Sequence, residues 1–273
     1  MGTQIDHWRY SIASLRSAIR SGTVRELAEK ASLSSPRSVE RLRRHDTSIR
    51  TDKGSSTLTA VDTSGRKLRY NSPISRQDPL VYDWRNRVSR LHTPPSHQEQ
   101  LLILLPCSAT KPYRLSQSHH RFIRNIPSNR AHQMMITSPL GLVPRELEDL
   151  WPAAHYDIPV TGDWDADELE MVNSMISDVC ERVGYSEIIN HSGMDVSIEG
   201  IACHNTRRGT AGSKESLDEL RKSVLKSIEG MNLADKSEKQ HRIEVMKSRS
   251  RFIHGTDSWL EGSTVSGLSL IHI

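Results

Sequence analysis

The 273 residues are 35% hydrophobic and 26% charged, with a mean hydropathy of −0.56, and no apolar run approaches the ~20 residues that span a bilayer. Three cysteines (Cys107, Cys180 and Cys203) are too few and too scattered for a disulfide framework or a paired-cysteine metal knuckle. The net charge of +4 hides an asymmetry, because residues 1–95 hold 18 Lys/Arg against 9 Asp/Glu while residues 96–170 hold 6 against 10. A basic front of this kind meets either a polyanion or plain solvent.

The opening residues, MGTQIDHWRYSIAS, show no apolar leader, so a reducing cytoplasm is the expected setting. Residues 6–21 predict an amphipathic helix with Ile12, Leu15 and Ile19 on one face, ended by Gly22. Thr23-x-x-Glu26 has the pattern of a capping box for a second helix, and Ser35-Pro36 opens a third. Residues 47–79 read as a polar linker or hairpin, and PLVYDWRNRVSRLH as one more short helix before Pro94-Pro95. From about residue 98 the pattern changes. LLILL, five aliphatic residues without alternation, predicts a central strand buried on both faces. SQSHHRFIRNI follows as a helix and HQMMIT (132–137) as the next strand. Asp165-x-x-Glu168 caps a long helix that runs to Gly184 with Leu169, Val172, Ile176, Val179 and Val183 inward. SEIINH and MDVSIEGIA are further strand candidates, and residues 214–229 form a last helix on Leu217, Leu220, Val224 and Ile228. This order predicts an α/β fold: a mostly parallel sheet flanked by helices, preceded by a small helical N-terminal segment.

Chemistry concentrates where the first strand ends. Ligands of parallel sheets bind where strands finish and the chain turns toward a helix, and LLILL finishes at Pro106-Cys107. Beyond it lie Lys111, Tyr113, Ser116, Ser118 and His119. A thiol near a helix N-terminus and Lys111 is expected to have a lowered pKa and thiolate character, with His119 able to give or accept a proton. The bland reading is a small core cysteine and a surface histidine. The second strand runs into SPLGLVPRELEDLWPAAHYDIPVTGDWDADE, which offers Thr137, Ser138, Arg145, His155, Tyr156, Asp157, Thr161 and Asp163 on a Pro- and Gly-dense loop. Two polar rims beyond two apolar strands suggest one pocket.

The stretch P-C-x-x-x-K-P-Y-x-x-S-x-x-H, met at Pro106, Cys107, Lys111, Pro112, Tyr113, Ser116 and His119, resembles the archaeosine synthases, archaeal paralogues of tRNA-guanine transglycosylase. TSPLGLVPRELE, HYDIPVTGDW and SRSRFIHGTDSWLEGSTVSG (248–267) are similar to the same family. More weakly, residues 1–46 resemble the tail of a transglycosylase barrel, with His7 at a zinc-ligand position whose cysteine partners are absent; no bound metal and no cofactor are expected. The resemblance implies an internal piece: barrel tail (1–46), linker and short helix (47–97), α/β signature domain (98–232), the start of a segment leading to an RNA-binding domain (233–267), and LSLIHI (268–273), which matches a translated library adapter. It implies tRNA as partner and addition of an amine, from free lysine or another donor, to the nitrile of 7-cyano-7-deazaguanine in the D-arm. A second copy or a missing-domain partner is a further expectation, and no membrane is involved. Cys107, Lys111, Tyr113 and His119 are then the catalytic candidates. Ser116, Ser118, Ser138, Arg145, Tyr156, Asp157 and Asp163 are the substrate-binding candidates. Two rival readings stay open: a tRNA-binding fragment without catalysis, and a DNA-binding regulator in which TVRELAEKASLSSPRSVERLRR is a helix-turn-helix.

Overall fold

The structure is a computed structural model that describes residues 3–51, 67–70, 72–158 and 164–254. Among them the chain order is α1 (Gln4–Ser21), α2 (Val24–Ser32), α3 (Pro36–Thr51), β1 (Leu68–Arg69), α4 (Pro79–Arg90), β2 (Leu101–Pro106), α5 (Gln117–Arg124), β3 (Ala131–Thr137), β4 (Gly141–Pro144), β5 (Tyr156–Asp157), α6 (Ala166–Val183), β6 (Glu187–Asn190), β7 (Ala202–Asn205), α7 (Lys214–Gly230) and α8 (Glu238–His254). A five-stranded sheet in the order β4-β3-β2-β6-β7 forms the centre. Strands β3, β2, β6 and β7 are parallel, and β4 is an antiparallel edge. The predicted α/β class and the short helical front are both found. No helix among the described residues is long and apolar enough to cross a membrane.

β2 is the middle strand, and Leu101 through Leu105 are wholly buried, which is why five aliphatic residues run without alternation. α6 forms as its sequence dictates, with a complete Asp165–Glu168 capping box and Gly184 in the left-handed region at its end. α4 packs on α6 and β4, burying Val81, Trp84 and Val88, with the Trp84 indole donating to the Leu142 carbonyl at 3.0 Å. Residues 79–90, expected beside a linker, are therefore part of the core. So is α8, whose Phe252 ring lies 5.6 Å from that of Trp84.

Local departures have local causes. Thr23 precedes α2 but caps nothing, because one residue separates it from α1 and its hydroxyl is 2.8 Å from that of Ser21. The α1 face holding Ile12, Leu15 and Ile19 is 46–61% exposed. MDVSIEGIA is mostly irregular; β7 begins at Ala202, after the Asn190 side-chain amide has bonded the Met194 carbonyl and the chain has turned at Gly193 and Gly200, both at positive φ. The loop after β3 folds back as β4, while β5 pairs with β1. Arg25 joins the helical front to the sheet unit, 2.8 Å from Glu29, 2.6 Å from Asp46 on α3 and 3.9 Å from Asp78 at the start of α4.

Candidate active site

β2 and β3 run side by side with Pro106 opposite Ile136, so Cys107 leaves one strand where Thr137 ends the other. The chain then passes Lys111 and Tyr113 and enters α5, which Ser116 caps by accepting from the His119 N–H at 3.2 Å. β5 brings Tyr156 to the same edge. The Tyr156 hydroxyl lies 2.5 Å from both the Tyr113 hydroxyl and the Thr137 Oγ1. Thr137 in turn donates to the Ser138 carbonyl at 3.2 Å. Tyr113, Tyr156 and Thr137 thus form one continuous row of hydroxyls, each of them hydrogen-bonded, whose last member also lies beside the Cys107 thiol.

Lys111 is the exception. Its Nζ sits 4.2 Å from the Tyr156 ring centroid, buried and without a hydrogen-bond partner among the described residues. Burial pulls its ammonium below the usual lysine range, and Lys67 adds to this, against the opposing pull of Cys107 and of Asp157 on β5. Cys107 is half-buried. Burial pushes its thiol up, and Lys111 and the Thr137 hydroxyl only partly offset this. The expected thiolate character is therefore not found: removal from water outweighs one nearby cation. Both shifts favour the neutral form over the charged one.

Two predicted site residues lie behind this edge. His119 is fully buried; its Nδ1 accepts from the Arg145 Nη2 at 3.0 Å, which leaves the proton on Nε2. Burial, with Arg145 adding to it and the Pro106 carbonyl opposing, lowers its pKa to about 3. It is a neutral imidazole wedged between the Tyr113 and Phe122 rings, each 5.2 Å away. Each nitrogen of Arg145 is engaged, by Gln133 at 3.1 Å, Glu148 at 3.0 Å and His119. No motif or spacing in the sequence marks Gln133 or Glu148. Ser116 and Ser118 bond each other at the helix cap, and Ser138 donates to Glu168 at the start of α6. Asp157 is exposed beside the edge, and Asp163 lies outside the described residues. Cys107, Lys111, Tyr113, Tyr156 and Asp157 thus share one edge, with Thr137 among them.

This edge falls within residues 81–224, which match the family model described as a domain of unknown function, DUF5591. The chain is 34% identical over 218 residues to the archaeosine synthase subunit alpha of Thermoplasma acidophilum, covering 79% of this chain and 41% of that protein. It is 27% identical over 261 residues to the archaeosine synthase of Methanocaldococcus jannaschii, covering 89% of this chain and 41% of the relative. Against the archaeosine synthase of Haloferax volcanii the identity is 51% over 90 residues, 33% of this chain and 15% of the relative. The chain spans less than half the length of these relatives.

Proposed function

The chain belongs to the DUF5591 family, and from that premise we propose that its α/β unit works in archaeosine biosynthesis, adding an amine to the nitrile of 7-cyano-7-deazaguanine carried by tRNA. One observation carries the reading: a thiol and an amine without a hydrogen-bond partner among the described residues, both shifted toward their neutral forms, meet at the ends of two parallel strands.

The Cys107 sulfur adds to the nitrile carbon as its proton moves, through Lys111, to the nitrile nitrogen, giving a thioimide. The donor amine then attacks that carbon; the carbon–sulfur bond breaks, the thiol regains a proton, and an amidine remains. Lys111 is the natural carrier because its Nζ has no hydrogen-bond partner among the described residues, whereas the hydroxyls of Tyr113, Tyr156 and Thr137 are bonded to one another. Their row, with His119 and Arg145 behind it, positions the edge. Asp157 faces solvent there and suits the ammonium of a lysine donor. The raised thiol pKa favours one variant, in which the amine attacks the nitrile directly and Cys107 only shapes the edge. The tRNA backbone has a partner in α3, which exposes Arg37, Arg41, Arg43 and Arg44.

The test is incubation of the protein with tRNA bearing the cyano base and isotope-labelled lysine, followed by mass spectrometry of the nucleosides. A base heavier by one lysine is expected. Salt-sensitive tRNA binding without any adduct from lysine, glutamine or ammonium would leave a binding fragment, and preference for duplex DNA would leave the regulator.

A further inference from the structure

A second polar cluster lies in the core, away from the edge just described. His92 follows α4, His132 is on β3, and Glu146 follows β4; all three are buried. One carboxylate oxygen, Glu146 Oε1, is 2.8 Å from His92 Nε2 and 3.2 Å from His132 Nε2, and the three atoms lie within 4.8 Å of one another. The two imidazoles are stacked, centroids 5.5 Å apart and planes 22° apart. We propose that His92, His132 and Glu146 bind one divalent first-row transition ion, zinc by preference, as a structural clamp beneath α8.

Three features support an ion over a bare hydrogen-bonded triad. Adjacent ligands on a tetrahedral ion with bonds of about 2.0–2.1 Å sit about 3.3 Å apart, near the 3.2 Å between Glu146 Oε1 and His132 Nε2, the His92 contact being shorter at 2.8 Å. Two imidazole nitrogens and one carboxylate oxygen are also a donor set that such ions favour. Secondly, His132 Nδ1 is 2.5 Å from the Tyr185 hydroxyl, a partner that fixes the ring and leaves Nε2 for the metal. Thirdly, Ser248 on α8 donates to the Thr93 carbonyl at 2.6 Å while its Oγ lies only 3.3 Å from Glu146 Oε1, so its lone pairs are within reach of the cluster as an additional ligand. The ion also balances a buried carboxylate whose side-chain hydrogen-bond partners among the described residues, two imidazoles and a hydroxyl, include no Lys or Arg. His92 Nδ1 is unpartnered whether or not an ion is bound, and so does not decide.

The experiment uses the whole chain without a polyhistidine tag, stripped with a chelator and titrated with zinc against a chromophoric competitor while Tm is followed. We expect one zinc per chain and a Tm higher by about 5–10 °C when free zinc is 100 times Kd. Uptake and the Tm gain should both vanish in Glu146→Gln, which keeps the shape of the carboxylate and one acceptor oxygen, and in His132→Gln, and both should persist in Cys107→Ser. Absence of uptake by the folded wild-type chain would overturn the proposal. So would uptake without a Tm change, or uptake that survives in both variants. Should the variants fail to fold, the wild-type titration and its Tm response decide alone.

Discussion

One strand holds both polar clusters. His132 is near the start of β3 and Thr137 is its last residue, five residues and roughly 16 Å further along. At the first end, His92, His132 and Glu146 are closed over by α8, and Tyr185 and Ser248 complete a set of mutual contacts. At the second end, Cys107 is half-buried, Asp157 is exposed and the Lys111 amine has no hydrogen-bond partner among the described residues. A polar group buried without a partner costs free energy that the fold must offset elsewhere. The closed end, His92 Nδ1 apart, uses its polar groups to hold elements together, whereas the open end joins a half-buried thiol and an exposed carboxylate to an amine that a ligand can complete. The assignment of chemistry to the open end and architecture to the closed one rests on that difference.

The sharpest way to break the contrast is a pair of substitutions. Cys107→Ala should lower the rate of adduct formation by at least about 10³-fold while leaving Tm nearly unchanged. Glu146→Ala should do the reverse, costing about 3–5 kcal/mol of stability because two imidazoles lose their shared acceptor. The labelled-lysine assay and urea unfolding measure both. A Cys107→Ala protein at full rate would remove the thioimide and leave direct attack. A large stability loss at Cys107 would place the thiol with the architecture.

Lys111→Met tests the open end from the other side. Loss of the proton carrier should slow adduct formation by about 10²-fold or more. Stability at neutral pH should rise, because a buried amine without a partner is replaced by an apolar chain of similar length. The sign follows from the lowered pKa: the folded state binds the lysine proton less readily than the unfolded one, so the penalty is present at neutral pH and fades as pH rises toward the ordinary lysine range. A slower and more stable variant is the signature of a site residue. A variant that is slower and less stable would mean that Lys111 holds the edge together.

How far the two ends could be read from sequence follows from how each is built. The open end is largely local: Cys107, Lys111 and Tyr113 fall within seven residues after an aliphatic run, and Thr137 and Tyr156 follow the next strand. The closed end draws on residues 92, 132, 146, 185 and 248, which no spacing rule links and which only the packing of α4, β3 and α8 brings together. The mostly parallel sheet was legible because strands and helices alternate. The antiparallel β4 and the β1–β5 pair were not, since GLVP and YD are too short to show a period against their Pro-rich surroundings. The thiol's protonation also escaped the sequence: a nearby lysine is visible there, whereas burial, which wins, is a property of the fold.

His119 gives the smallest effect and separates position from chemistry. Its pKa is lowered to about 3, so the folded imidazole stays neutral while the unfolded one takes a proton below about pH 6.5. The unfolded state then binds more protons, and His119 alone should cost about 1.4 kcal/mol of stability per pH unit as pH falls between those values. Burial also lowers His92, His97 and His191, so the wild-type slope is steeper than one proton. Urea unfolding of His119→Gln between pH 4 and 6 should be shallower by one proton's slope, and the pH dependence of its adduct formation near neutrality should keep the wild-type shape, since a neutral imidazole bound to Arg145 has no titration to contribute there. If the variant instead loses an ionisation near pH 6–7 from its rate profile, His119 belongs with Cys107 and Lys111 as an acid, and the open end reaches deeper behind the strand edge than the hydrogen bonds of Arg145 suggest.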